Sequence, residues 1–93
     1  MSTKKVLEQE LNKHTKKMRK VFKNLRLLMK EESFKELYDS AFSYFSDSKH
    51  FHKKGMIVQA FEALIISWAY IDAGLKLEVF ELTDESLNDY FTA

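Results

Sequence analysis

Ninety-three residues with no cysteine exclude disulfide staples and thiolate metal sites, and they bound the chain to one small domain. An apolar share of 45%, with 14% aromatic residues, excludes a wholly disordered chain. The net charge of +1 hides a split: residues 1–30 carry ten Lys or Arg and two acids (+8), whereas residues 31–93 carry five and twelve (−7).

There is no proline and there are only two glycines, so the chain has few natural breaks and long helices are expected. In the first segment Leu7, Leu11, His14, Met18, Val21, Leu25 and Leu28 recur at alternating spacings of four and three, a heptad-like stripe. It predicts a helix over about 2–30, roughly 40 Å long. Ser2 or Thr3 is placed to cap its start.

Glu31-Glu32-Ser33 interrupts the stripe, and Ser33 with Glu36 matches a capping box. A second helix is predicted over 34–53, with Phe34, Tyr38, Ala41, Phe45, Ser48 and His52 on one face. Gly55, just past Lys53 and Lys54, suits the left-handed residue at which a helix ends and the chain reverses.

The third helix, over 56–81, carries two stripes. The main one is Ile57, Phe61, Leu64, Trp68, Ile71 and Leu75, flanked by Ala60, Ser67 and Gly74, which are small enough for a neighbour to approach closely. The second is Ile66, Tyr70, Ala73, Leu77 and Phe80, a candidate interaction surface. A helix apolar on two sides is buried on more than one side. Thr83, Asp84 and Glu85 read as a last helix start, over 84–91, with Leu87, Tyr90 and Phe91 free to fold back over the second stripe. The fold class is therefore all-α: an antiparallel up-down bundle of three long helices plus a short C-terminal helix or tail, one domain over 1–93.

Chemistry is sparse. Asp47-Ser48-Lys49-His50-Phe51-His52 is the one cluster with metal-binding residue types, and zinc needs three or four ligands converging on a point. His50 and His52 stand about 200° apart around a helix axis, and Asp47 with His50 lacks a third partner. No metal and no cofactor are expected. Asp47, His50 and Lys54 share an outer face as a candidate polar motif, although exposed ion pairs of this kind are weak and common. His14, within an apolar stripe, reads as a core or edge histidine with a hydrogen-bond partner. Asp72, at the margin of the third helix one turn before Lys76, reads as support for a polar contact. Nucleophile elbows, P-loops and dinucleotide fingerprints are all missing, so no catalytic residue is assigned and an enzyme is not expected.

The basic face of the first helix, Lys13, Lys16, Lys17, Lys20 and Lys23, is a candidate anion-binding face. A solvated helix face explains the same lysines, and no exposed aromatic residues interleave with them to stack on bases.

Asp47–Gly55 (DSKHFHKKG), Gln59-Ala60-Phe61-Glu62-Ala63 and Trp68–Leu75 (WAYIDAGL) together resemble small archaeal helical proteins of the domain of unknown function 357 family. The resemblance covers roughly residues 38–82; the first helix and the tail carry no matching motif. The chain departs from the pattern at Met56-Ile57, where an acidic and an aromatic residue are expected, and at Ile71 in place of leucine. The resemblance implies a bundle of three main helices and no particular activity. It adds Glu62 and Asp72 to the polar motif of Asp47 and Lys54, with Gly55 and Gly74 as turn and packing positions.

The expected function is a non-catalytic protein-interaction or self-association module; the alternative is a nucleic-acid-binding accessory protein using the basic face. No apolar run reaches the roughly 18 residues of a membrane span, and no signal peptide is apparent, so a cytoplasmic location without membrane contact is expected.

Overall fold

The computed structural model describes residues 2–91. Three long helices run α1 (Thr3–Lys23), α2 (Glu32–Lys53) and α3 (Ile57–Lys76), packed against one another as the hydrophobic stripes require. Two three-residue strands, β1 (Leu25–Leu27) and β2 (Phe80–Leu82), and a C-terminal 3₁₀ helix (Glu85–Tyr90) complete the described chain. The molecule is elongated, 45 × 26 × 19 Å.

The tightest seam lies between α2 and α3. Ala41 on α2 and Ala60 on α3 are fully buried there, and small side chains let the two backbones approach. Two buried serines use that proximity. Ser48 Oγ donates to the Ala60 carbonyl at 2.7 Å, and Ser67 Oγ donates to the Ala41 carbonyl at 2.6 Å. Each polar group buried at the seam is thus paired, as burial demands. Leu11, Met18 and Val21 from α1 close the core over Phe45, Leu64 and Ile71.

The ends of the helices differ from the sequence reading in three places. First, α1 stops at Lys23 rather than near residue 30. Leu25-Arg26-Leu27 leaves the helix and pairs antiparallel with Phe80-Glu81-Leu82, in the register Leu25↔Leu82, Arg26↔Glu81, Leu27↔Phe80. Backbone bonds extend the ladder on both sides, Leu28 N to Val79 O at 2.8 Å and Thr83 N to Asn24 O at 2.7 Å. An Arg26–Glu81 ion pair lies across it. Secondly, α2 begins at Glu32, capped by the Glu31 backbone with no side-chain cap bond, so Ser33 lies inside the helix and the capping box does not form.

Thirdly, α3 ends at Lys76 rather than at residue 81. The Glu78 N–H donates to the Leu75 carbonyl and the Val79 N–H to the Gly74 carbonyl, a reversal centred on Glu78 at φ 59°. The α2–α3 turn uses the same pair of bonds: Gly55 N–H to His52 O and Met56 N–H to Phe51 O, with Gly55 at φ 77°. Two helices thus end in one motif, once with glycine and once with glutamate. The second reversal swings Phe80 back under α3, where its ring occupies the space a Cβ on Gly74 would need.

Candidate interaction surfaces

The back of α3 is open. Val58 (62% exposed), Ile65 (61%) and Leu77 (66%) are the most exposed of the large apolar side chains, and Ile66, Ala69 and Ala73 lie exposed among them. Of the residues the sequence suggested for this surface, Ile66, Ala73 and Leu77 are there. Tyr70 is half-buried and stacks on Tyr44 with ring centroids 5.8 Å apart. Phe80 is not on the surface. It is 2% exposed, because α3 ends at Lys76 and the reversal at Glu78 turns Phe80 inward instead of continuing the stripe. Val58 and Ile65 belong to the open face and were missed. Both sit beside the stripe rather than on it, a signal that the full helical arc, rather than one line of residues, would have captured.

The tail does not cover this face, contrary to expectation. Asp84 starts the 3₁₀ helix by accepting from the Ser86 N–H at 3.0 Å and the Ser86 hydroxyl at 2.7 Å. Those bonds, followed by nearby Lys20, hold its carboxyl below the usual value. The segment then lies against α1 and α3: Tyr90 OH and His14 Nδ1 are hydrogen-bonded at 3.2 Å, and Trp68 Nε1 donates to the Tyr90 carbonyl at 3.0 Å. Phe91 stacks on Trp68 at 5.6 Å, and Lys17 Nζ stands 5.7 Å from the Tyr90 ring centroid. Burial raises the Tyr90 phenol above its ordinary pKa. His14 thus has the hydrogen-bond partner its position called for. Beside the tail, His14, Phe61, Leu64, Ile65, Trp68 and Tyr90 line a mostly apolar cleft of ≈ 320 Å³.

Lys13, Lys16, Lys17, Lys20 and Lys23 are all exposed on α1, and none is in an ion pair among the described residues. Lys17 stands beside the Tyr90 ring of the tail, and the other four face solvent. The polar motif is dispersed. Asp47, His50, Lys54 and Glu62 are exposed and share no side-chain hydrogen bond or ion pair among the described residues. Asp72 is half-buried and accepts from Lys76 Nζ at 2.9 Å. Among the described residues no three His, Asp or Glu side chains converge as metal ligands would.

His50 and His52, expected on opposite faces, line one groove. It lies between α1 and α2, measures ≈ 660 Å³ and is walled by Asn12, Thr15 and Arg19 on α1 and by Lys49, His50, His52 and Lys53 on α2. Four α2 residues span nearly half the circumference of that helix, so two positions far apart in angle form opposite rims of one trough.

α3 is the one helix among the described residues long and apolar enough to cross a membrane by length and composition. The core helix of a small bundle meets the same criterion.

Comparison with known proteins bears on the whole bundle. The family model for a protein of unknown function, DUF357, matches residues 5–80. The match therefore includes α1, in which the sequence motifs had shown no likeness. A crystal structure of protein AF1782 from Archaeoglobus fulgidus, assigned to the same family model, is similar at 28% identity with a TM-score of 0.71, over 88% of this chain and 100% of that one. No curated protein matches the chain.

Proposed function

We propose that this chain, which belongs to the DUF357 family of proteins of unknown function, is a non-catalytic module that self-associates through the open face of α3. One observation carries the reading: Val58, Ile65, Ile66 and Leu77 form an apolar surface on a helix whose other side is core, and the tail leaves it uncovered. Contiguous apolar surface of this kind marks interaction sites.

The face is also self-complementary. Glu62 and Lys76 are exposed and each lies seven residues from Ala69. Two copies of α3 crossed antiparallel about Ala69 set Glu62 of one opposite Lys76 of the other, and Ile65 opposite Ala73, as a two-fold interface requires. The small alanines let the helices approach, and the larger residues on either side fill the flanks.

Sedimentation equilibrium tests the proposal. The chain is expected to dimerise, and Ile65→Glu with Ile66→Glu is expected to yield a folded monomer with unchanged helical circular dichroism. A wild-type chain that stays monomeric at millimolar concentration refutes it.

The exposed lysines of α1, none in an ion pair among the described residues, support the rival reading, nucleic-acid binding. Against it stands the shortage of stacking platforms: the Tyr90 ring beside Lys17 packs on His14 and Phe91, and Phe91 stacks on Trp68. A cytoplasmic module fits the cysteine-free composition.

A further inference from the structure

The groove between α1 and α2 collects cations that the bundle does not use. Arg19, Lys49 and Lys53 carry permanent charge, His50 and His52 supply ring nitrogens, and Asn12 and Thr15 are neutral hydrogen-bonding groups. No carboxylate lines it. None of its cations is in an ion pair among the described residues; Lys49 instead lies over the Phe45 ring, 4.6 Å from its centroid. Lysines and histidines in the last turn of α2 are explained in part by the helix C-terminus, which favours positive charge. That explanation does not reach Arg19, which comes from the other helix and faces the same trough.

We propose that this groove is a binding site for a small oligophosphate, with Arg19, Lys49 and Lys53 as its charged contacts. A guanidinium presents a planar fork of donors that matches phosphate oxygens, and ammonium groups act as point charges beside it. From Asn12 to Arg19 the wall is about 10 Å long, the length of two or three linked phosphates rather than of an extended nucleic-acid strand. No Phe, Tyr or Trp ring, the larger platforms on which single-stranded bases stack, lines it. Glu8, one turn before Asn12 and at a similar angle on α1, and Asp47, one turn before His50 on α2, are the carboxylates that oppose binding, against three permanent cations. The site is independent of the open face of α3, so its failure leaves self-association standing.

Titration calorimetry of the full chain with inorganic triphosphate, at low and at physiological salt, tests the proposal. Saturable one-site binding that weakens with salt is expected, with similar affinity for ATP because the phosphate chain is what is recognised. Arg19→Glu with Lys53→Glu is expected to lower affinity by at least about tenfold, while Lys13→Glu with Lys20→Glu, outside the groove, lowers it by less than about threefold. Thermal melts of both variants establish that each is folded. Absence of binding at low salt overturns the proposal, as does equal loss in the two variants, which marks a diffuse positive surface. A single-stranded oligonucleotide that binds more tightly than triphosphate, and is lost in the Lys13/Lys20 variant, also overturns it and makes α1 a nucleic-acid face.

Discussion

Gly74→Ala sets two effects of opposite sign against each other. Within α3, replacing glycine by alanine favours the helix by about 1 kcal/mol. At this position, however, an added Cβ falls 2.9 Å from Phe80 Cγ and closer still to its Cδ2 and Cε2. The obstacle is a ring with little freedom to give. Phe80 is 2% exposed, its backbone is paired with Leu27 in the β-ribbon, and its ring meets Tyr38 edge-on at 6.3 Å. Overpacking costs about 1–3 kcal/mol, and contacts this far inside 3.0 Å on a fixed ring place it in the upper part of that range, about 2–3 kcal/mol. The cost exceeds the propensity gain, so the variant is expected to be less stable by about 1–2 kcal/mol, a fall in Tm of roughly 4–16 °C for a domain of this size. Thermal and urea melts followed by circular dichroism read it directly. A second comparison isolates the cause: in a Phe80→Ala background the clash is gone, and Gly74→Ala is expected to stabilise by up to about 1 kcal/mol. An unchanged or raised Tm in the wild-type background, or the same loss in both backgrounds, refutes the assignment of Gly74 to ring packing.

Glu78→Gly acts at the other half of the same reversal. Glu78 holds φ 59°, where a residue with a Cβ pays about 1–2 kcal/mol; glycine's extra freedom in the unfolded chain returns part of it, leaving an expected gain of about 0.5–1 kcal/mol in a chemical melt. The tail carries its own reporter, because Trp68 is the lone tryptophan and bonds to Tyr90. The Asp84 carboxyl is held below its ordinary pKa of 3.8 by bonds from Ser86, so its contribution is present above that value and is lost as pH falls through the folded-state pKa. Trp68 fluorescence is therefore expected to change below about pH 4 while helical circular dichroism persists, and Asp84→Asn is expected to flatten that step. Coincidence of the two signals would assign the change to global unfolding instead.

Much of the bundle was legible from residue periodicity. Leu11, Met18 and Val21, Ala41, Phe45 and Ser48, and Ile57, Leu64 and Ile71 were read as core-facing and are buried. Burial of one face leaves a local, repeating trace in a helix, which is why it can be read without a structure. The β-ribbon left no such trace. Leu25 and Leu28 continue the heptad stripe, and the alternation of Leu25-Arg26-Leu27 is only three residues long. Strand pairing here depends on residues 55 positions away, as Arg26 and Glu81 illustrate.

The candidate surfaces divide along the same line. The open face of α3 was visible as an excess of apolar residues, but its membership shifted once the helix was seen to end at Lys76 and Phe80 turned inward. The groove was invisible, since no spacing relates Arg19 to Lys49 and Lys53 until two helices are laid side by side.

By itself, then, the sequence determined the helical class, the three main helices, the reversal at Gly55 and the small residues on α3 that admit a neighbour. All are encoded within a few turns of chain. Tertiary structure decided where α1 and α3 stop, where the tail lies and which charges share a trough. Each of these is a contest between local preference and a distant partner. Glu78 makes the point: a glutamate takes the left-handed position that Gly55 fills freely, because Phe80 under Gly74 and the ribbon to β1 offset its cost.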